Sequence, residues 1–172
     1  MTIHSDHPFV PPEDDRDPLR RLRGRMPAPV TVWSAGRGAA RQGLTISSIL
    51  VAGGEPARVL GLVDPDSELW DDEPDRWVVN VLGTEHRFLA DAFAGTAPAP
   101  GGPFTLGEWS DGDWGPVLAA TAGWMGVRRA ETPPRDVGWG LLVEGVVEHV
   151  EIGDAEAMMH LRGRYHPSGR SS

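Results

Sequence analysis

The feature that most constrains this chain is a series of short apolar, β-branched runs, each closed by turn residues. Val30–Ser34, Gly43–Val51, Arg58–Val63, Trp77–Leu82, an interrupted Pro116–Ala130 and Trp139–Ile152 read as six strands. Runs of this length and spacing predict an all-β domain. A sheet that closes on itself hides its unpaired edges, so the expected architecture is a six-stranded barrel with a few helices packed outside it. The first helix is expected from Asp17, with Pro18 in its first turn and Leu19, Leu22 and Met26 at helical intervals. Its Arg cluster reads as a solvated face. Asp64-Pro65-Asp66-Ser67 opens a short helix through Leu69 and Trp70, and Glu85–Ala94 places Phe88, Leu89, Ala92 and Phe93 on one helical face. Gly95–Pro103 is a Pro/Gly-rich loop. Residues 1–15 are polar and Pro-rich and are expected to be a disordered arm, 16–168 a single domain, and 169–172 a flexible tail.

Composition removes several function classes. A net charge of -9 argues against nucleic acid, whose phosphates want a basic surface. The absence of cysteine excludes disulfides, Cys-ligated zinc, iron–sulfur clusters and thiol nucleophiles. The histidines lack paired ligand spacing, so no metal is expected. No apolar run approaches a membrane span and no signal-peptide stretch is visible, which makes the cytoplasm the expected compartment. All sixteen basic residues are Arg, consistent with a GC-rich bacterial genome. Gly36-Arg37-Gly38-Ala39-Ala40-Arg41 starts like a dinucleotide fingerprint but has Arg in place of the third glycine, and reads as a hairpin loop. No G-x-S-x-G elbow is present.

The run Gly43-Leu44-Thr45-Ile46-Ser47-Ser48-Ile49-Leu50-Val51 is chemically odd for a strand. Its period puts Thr45 and Ser47 on one face, with Ser48 next to them. Those three hydroxyls are either the polar outer face of a half-buried strand or a donor set for a polar heterocycle and a phosphate. Asp64 and Ser67 form a second polar cluster, either an anion-binding helix start or a plain cap. Asn80, inside Trp77–Leu82, must find partners if buried, as part of a structural network or as a ligand contact.

These segments, in this order, resemble the flavin reductase-like family of FMN-binding split barrels. Val30-Thr31-Val32 is similar to the family's first strand, and Gly43–Ser48 to its "GxTxSS" flavin strand. Glu55-Pro56 stands at the family's Asp-Pro. Trp77–Leu82 looks like "FAVNVL", Leu89–Ala94 like "LAxxFA", Val143–Val147 like "VGEVV", and Leu161–Tyr165 like "YRGRY". The resemblance covers about residues 17–168. It implies an antiparallel Greek-key barrel, a homodimer with flavin at the subunit interface, and hydride transfer from NAD(P)H to flavin. FMN is the first choice over FAD or the deazaflavin F420. Carried over by position, Thr45, Ser47 and Ser48 would contact the isoalloxazine and its tail. Asp64 and Ser67 would lie by the ribityl or phosphate end, and Asn80 would support the site. The flavin strand departs from the family at Leu50–Gly54, where further Ser or Thr is usual. Gly138-Trp139 stands where many members have Asp-His near the nicotinamide. Trp139 is either a stacking surface there or barrel core, and Arg162, Arg164 and His166 are either contacts for a pyridine-nucleotide or flavin phosphate or a solvated strand end. The tryptophans, Trp70, Trp77 and Trp124 among them, exceed what one small core needs and so also point to a subunit interface. A monooxygenase partner is expected for a reductase of this kind. The alternatives are a non-catalytic flavin-binding or sensing protein and an F420-using enzyme of the same barrel.

Overall fold

In a computed structural model the described residues are 17–169; the arm expected over 1–15, and all of the expected tail except Gly169, lie outside them. The strands are β1 (Ala28–Pro29), β2 (Thr31–Ala35), β3 (Gln42–Ile46), β4 (Ile49–Ala52), β5 (Arg58–Val63), β6 (Arg76–Val81), β7 (Trp109–Asp111), β8 (Pro116–Leu118), β9 (Gly123–Arg129), β10 (Arg135–Val137), β11 (Gly140–Ile152), β12 (Met158–Leu161) and β13 (Arg164–Pro167). Three short helices accompany them: α1 (Pro18–Arg23), α2 (Glu68–Asp71) and α3 (Arg87–Phe93).

The main sheet runs β3-β2-β6-β9-β11-β5-β4, every pairing antiparallel, with β10 flanking β11. Its two ends, β3 and β4, are consecutive in the chain and separated only by Ser47-Ser48. The sheet therefore curls until its edges meet, and β3 with β4 acts as one bent strand. Counted so, the barrel has six strands, as the sequence predicts. The Pro116–Ala130 run is likewise divided, its first part pairing with β7 and its second forming β9. The strands missed in the sequence are β1, β7, β10, β12 and β13. Of these, β1, β12 and β13 form a separate three-stranded sheet.

Two apolar clusters lie on opposite sides of the wall formed by β2 and β6. The inner one holds Trp33, Ile46, Val59, Trp70, Trp77 and Val143. The outer one packs Val30, Val32, Leu82, Leu89, Phe93 and Leu118 between wall and α3. Burial on both sides explains why every residue of β2 is buried. Trp33 and Trp77 stack at 5.4 Å inside the barrel, and Trp70 meets Trp77 edge-on. Trp70 and Trp77 are thus core residues of one chain. The expectation that they mark a subunit interface is corrected, because a small barrel needs large rings to fill it. The rings find room over glycines. A Cβ on Gly61 would sit 2.6 Å from the Trp33 ring, and one on Gly145 would collide with Val127 and sit 2.8 Å from Trp77.

Two helices follow their sequence signals in part. Asp17 caps α1, its carboxylate accepting from the Leu19 amide at 3.2 Å. Leu19, Leu22 and Met26, however, face solvent. In α3 the buried residues are Leu89, Ala90, Ala92 and Phe93, and Phe88 points outward. The inward stripe centres on Leu89 and Phe93, four residues apart, which turns Phe88 away. Tyr165 on β13 ties the small sheet to α3 by donating to the Asp91 carboxylate at 2.6 Å. Burial, first, and that carboxylate hold the phenol well above its ordinary pKa.

Gly145→Ala is expected to lower unfolding stability by about 1–3 kcal/mol through overpacking against Val127 and Trp77, read as a reduced midpoint in urea denaturation. An unchanged midpoint would mean that the rings relax at no cost.

Candidate functional site

The Ser47-Ser48 corner is built by the closing of the barrel. The Leu62 amide donates to the Ser48 carbonyl at 3.0 Å, fastening the corner to β5. Both serines are half-buried and line a groove of about 620 Å³ whose other walls include Arg20, Arg23, Met26, Pro29 and His160. That volume is in the range of small-molecule sites. The chain brings these walls together by pairing β1 with β12, Ala28 opposite His160 and Pro29 opposite Met159.

Thr45 is not part of that lining. Its hydroxyl donates to the Ala90 carbonyl at 2.7 Å and pins α3 to β3. Asn80 is fully buried, and both of its N–H donors are paired within the protein. Its amide donates to the Val32 carbonyl at 3.1 Å and the Ser34 hydroxyl at 2.9 Å, and its carbonyl accepts from the Leu118 amide at 2.9 Å. Ser34 in turn donates to the Pro116 carbonyl at 2.6 Å. Both Asn80 donors and one lone pair of its carbonyl are thus engaged in a structural network within the protein. Its effect is to dock β8 on the barrel wall. Asp64 and Ser67 also lie outside the groove lining and serve each other. The Ser67 hydroxyl donates to the Asp64 carbonyl at 2.7 Å, and the Asp64 carboxylate accepts from the Asp66 amide at 3.0 Å. The helix that follows is four residues long, and Ser67 makes no side-chain cap to it.

Gly138 and Trp139 form the two-residue loop of the β10–β11 hairpin, between paired Val137 and Gly140. Positive φ at Gly138 is the conformation that a II′ turn asks of its first residue. Trp139 is fully exposed, so the reading of it as barrel core is excluded. Register relates this tip to the corner: Leu62 is bonded to Ser48 and pairs with Leu142, three residues beyond Trp139. Two interstrand steps, roughly 10 Å, separate the two rows.

Arg164 and His166 lie on β13 and line a second hollow, of about 470 Å³, with Arg25, Leu161 and Arg162. The sequence read the arginines of α1 only as a solvated face; they are exposed, yet Arg20 and Arg23 also border the serine groove. His160 carried no signal, because its position depends on a pairing across more than 130 residues. A third hollow, of about 760 Å³, is lined by Glu85, Glu151, Asp154 and Glu156 beside Trp124. Its carboxylates would repel a phosphate. The serine groove has no acidic residue in its lining.

A family model described as flavin reductase like domain matches residues 23–169. Among solved structures, the NADH:FAD oxidoreductase SgcE6 of Streptomyces globisporus C-1027 superposes with a TM-score of 0.79 at 24% identity, covering 95% of this chain and 98% of that one. A flavin reductase domain protein from Arthrobacter sp. FB24 gives 0.75 at 21% identity, over 90% and 96% of the two chains. Nitrilotriacetate monooxygenase component B from Mycobacterium thermoresistibile gives 0.76 at 19%, over 90% and 89%. A search of proteins with curated function finds no match.

Proposed function

Because the chain belongs to the flavin reductase-like family, we propose that it takes a flavin into the Ser47–Ser48 groove and reduces it with NAD(P)H. The observation that carries this reading is the state of the two hydroxyls. Thr31, Ser34, Thr45 and Ser67 all donate to carbonyls of the protein. Among the described residues no protein partner takes the Ser47 or Ser48 hydroxyl, and both border a groove of ligand size. Unpaired half-buried donors fit the ring and ribityl acceptors of a flavin, and Arg20 and Arg23 on the same groove fit its phosphate. FMN is the smallest cofactor presenting all of these groups.

A bound flavin supplies the hydride-accepting ring, so the chain's own work is holding, orienting and shielding. Ser47 and Ser48 would fix the ring edge, and the Leu62–Ser48 bond keeps their backbone from shifting. Trp139, at the position where relatives carry His, offers an indole face to a nicotinamide and requires no proton transfer. The exposed apolar residues Leu19, Leu22, Met26, Leu50 and Val51 support a homodimer that covers α1 and both faces of β4. We assign the protein to the bacterial cytoplasm, where NAD(P)H is available, and to delivery of reduced flavin to a monooxygenase component.

NADH consumption in the presence of free FMN tests the activity directly; no turnover with either nicotinamide nucleotide would leave a protein that only binds flavin, and oxidation of reduced F420 instead would identify the deazaflavin reading. Replacing both serines by alanine is expected to weaken FMN binding by about 1–3 kcal/mol, measured by quenching of flavin fluorescence, and an unchanged Kd would reduce the corner to a structural role. Trp139→Ala is expected to raise KM for NADH several-fold, with FMN affinity unchanged and stability within about 0.5 kcal/mol of the parent because the ring is exposed. Equal KM in parent and variant would remove Trp139 from the site. Sedimentation velocity at micromolar concentration is expected to show a dimer, and a monomer that retains flavin would rule out an interface site.

A further inference from the structure

The charge of this molecule is distributed unevenly around the groove. Arg20, Arg21, Arg23, Arg25, Arg162 and Arg164, of sixteen arginines in a chain of net charge -9, line three neighbouring hollows that contain no acidic residue. None of the six takes part in an ion pair among the described residues, where the ion-paired arginines are Arg41, Arg58, Arg128 and Arg129. The serine groove and the Arg162–Arg164 hollow interleave along the chain. Gly24 and Gly163 line the first, and their neighbours Arg25, Arg162 and Arg164 line the second. They meet at the tip of the β12–β13 hairpin, where Leu161 pairs with Arg164.

That tip carries an independent sign of function. Its two loop residues both have positive φ, 52° at Arg162 and 74° at Gly163. A turn of this kind favours Asn, Asp or Gly at both positions. Arg in the left-handed region is strained, as are Glu73 and Ala120 elsewhere in the chain, and such outliers gather at ligand sites. The tip is also fixed in place, since the Arg162 amide donates to the Gly24 carbonyl at 2.7 Å at the end of α1. Beside it Gly163 has no atom within 4 Å of where a Cβ would lie, leaving bare backbone over which an elongated ligand can pass.

We propose that Arg25, Arg162, Arg164 and His166 bind the second phosphate of a dinucleotide whose ring occupies the Ser47–Ser48 groove, so that this chain selects FAD over FMN. The inference rests on the flavin reading of that groove. Arg20 and Arg23 would hold the single phosphate of FMN, and the guanidinium forks at the tip would hold the additional phosphate that FAD carries. NADPH is the other dinucleotide with the same chemistry.

The test is equilibrium binding, by fluorescence titration of the flavin-free protein with FAD, FMN, NADH and NADPH, in the parent and in Arg162→Asn and Arg164→Gln. The parent is expected to bind FAD about tenfold or more tighter than FMN, as one charged contact implies. Both variants are expected to lose most of that preference while keeping FMN affinity. Arg162→Asn is also expected to melt no lower than the parent, because Asn suits the turn, so loss of folding does not explain its result. Equal FAD and FMN affinities in the parent, or a preference unchanged in both variants, would overturn the assignment while leaving the flavin groove intact. Variants that lose NADPH affinity but not FAD affinity would transfer the strip to the nicotinamide nucleotide and overturn it as well. Failure to bind either flavin would remove the flavin reading and this inference together.

Discussion

The hydrogen bond from the Leu62 amide to the Ser48 carbonyl is the seam of the molecule. An open seven-strand path has two raw edges, and here they belong to successive strands two residues apart. Once the corner is fastened to β5, the sheet has curled and the edges have met. The bend also breaks the ladder at the two serines, which leaves their side chains outside the regular alternation of strand faces. Closure of the barrel and a pair of uncommitted hydroxyls therefore have one cause.

What the seam closes must be filled, and the filling is aromatic. Trp33 and Trp77 stack within the barrel, each set against a glycine on a strand with which its own does not pair. Their indole N–H groups have no partner among the described residues, so the ring area carries the packing there. On the outer side of the same wall, the Asn80–Ser34 network and the Thr45–Ala90 bond fix β8 and α3 by polar contacts inside apolar surroundings. Removing one partner would leave the other buried and unpaired, which makes these short-range bonds important to the outer layer.

Local pattern made the barrel legible. The β-branched runs identified its six strands, but Gly43–Val51 read as one continuous strand, and the bend at Ser47-Ser48 left no signal beyond three near-consecutive hydroxyls. The helix start at Asp17-Pro18 and the hairpin loop at Gly36 followed from backbone chemistry alone. The remainder depended on distant partners. Asn80 announced that it needed hydrogen bonds, but only the fold shows Val32, Ser34 and Leu118 supplying them. The pairing of β1 with β12 that brings His160 to the groove joins two ends of the chain and leaves no periodic trace. Phe88, Trp70 and Trp77 were misread for one reason: hydrophobicity says that a ring wants burial, and packing decides which rings get it and in which chain.

The acid-free arginine strip has a consequence for kinetics. On a molecule of net charge -9, a cationic strip attracts an approaching polyphosphate against an overall negative field. The field therefore selects orientation before contact, turning the phosphate end of an incoming nucleotide toward the β12–β13 tip while the ring is still in water. Such steering acts on the encounter rate and fades as added salt shortens the Debye length, about 10 Å at 0.1 M, whereas dissociation of the seated ligand depends on close contacts and responds less. Arrival and departure at this groove are thus governed by different parts of the surface.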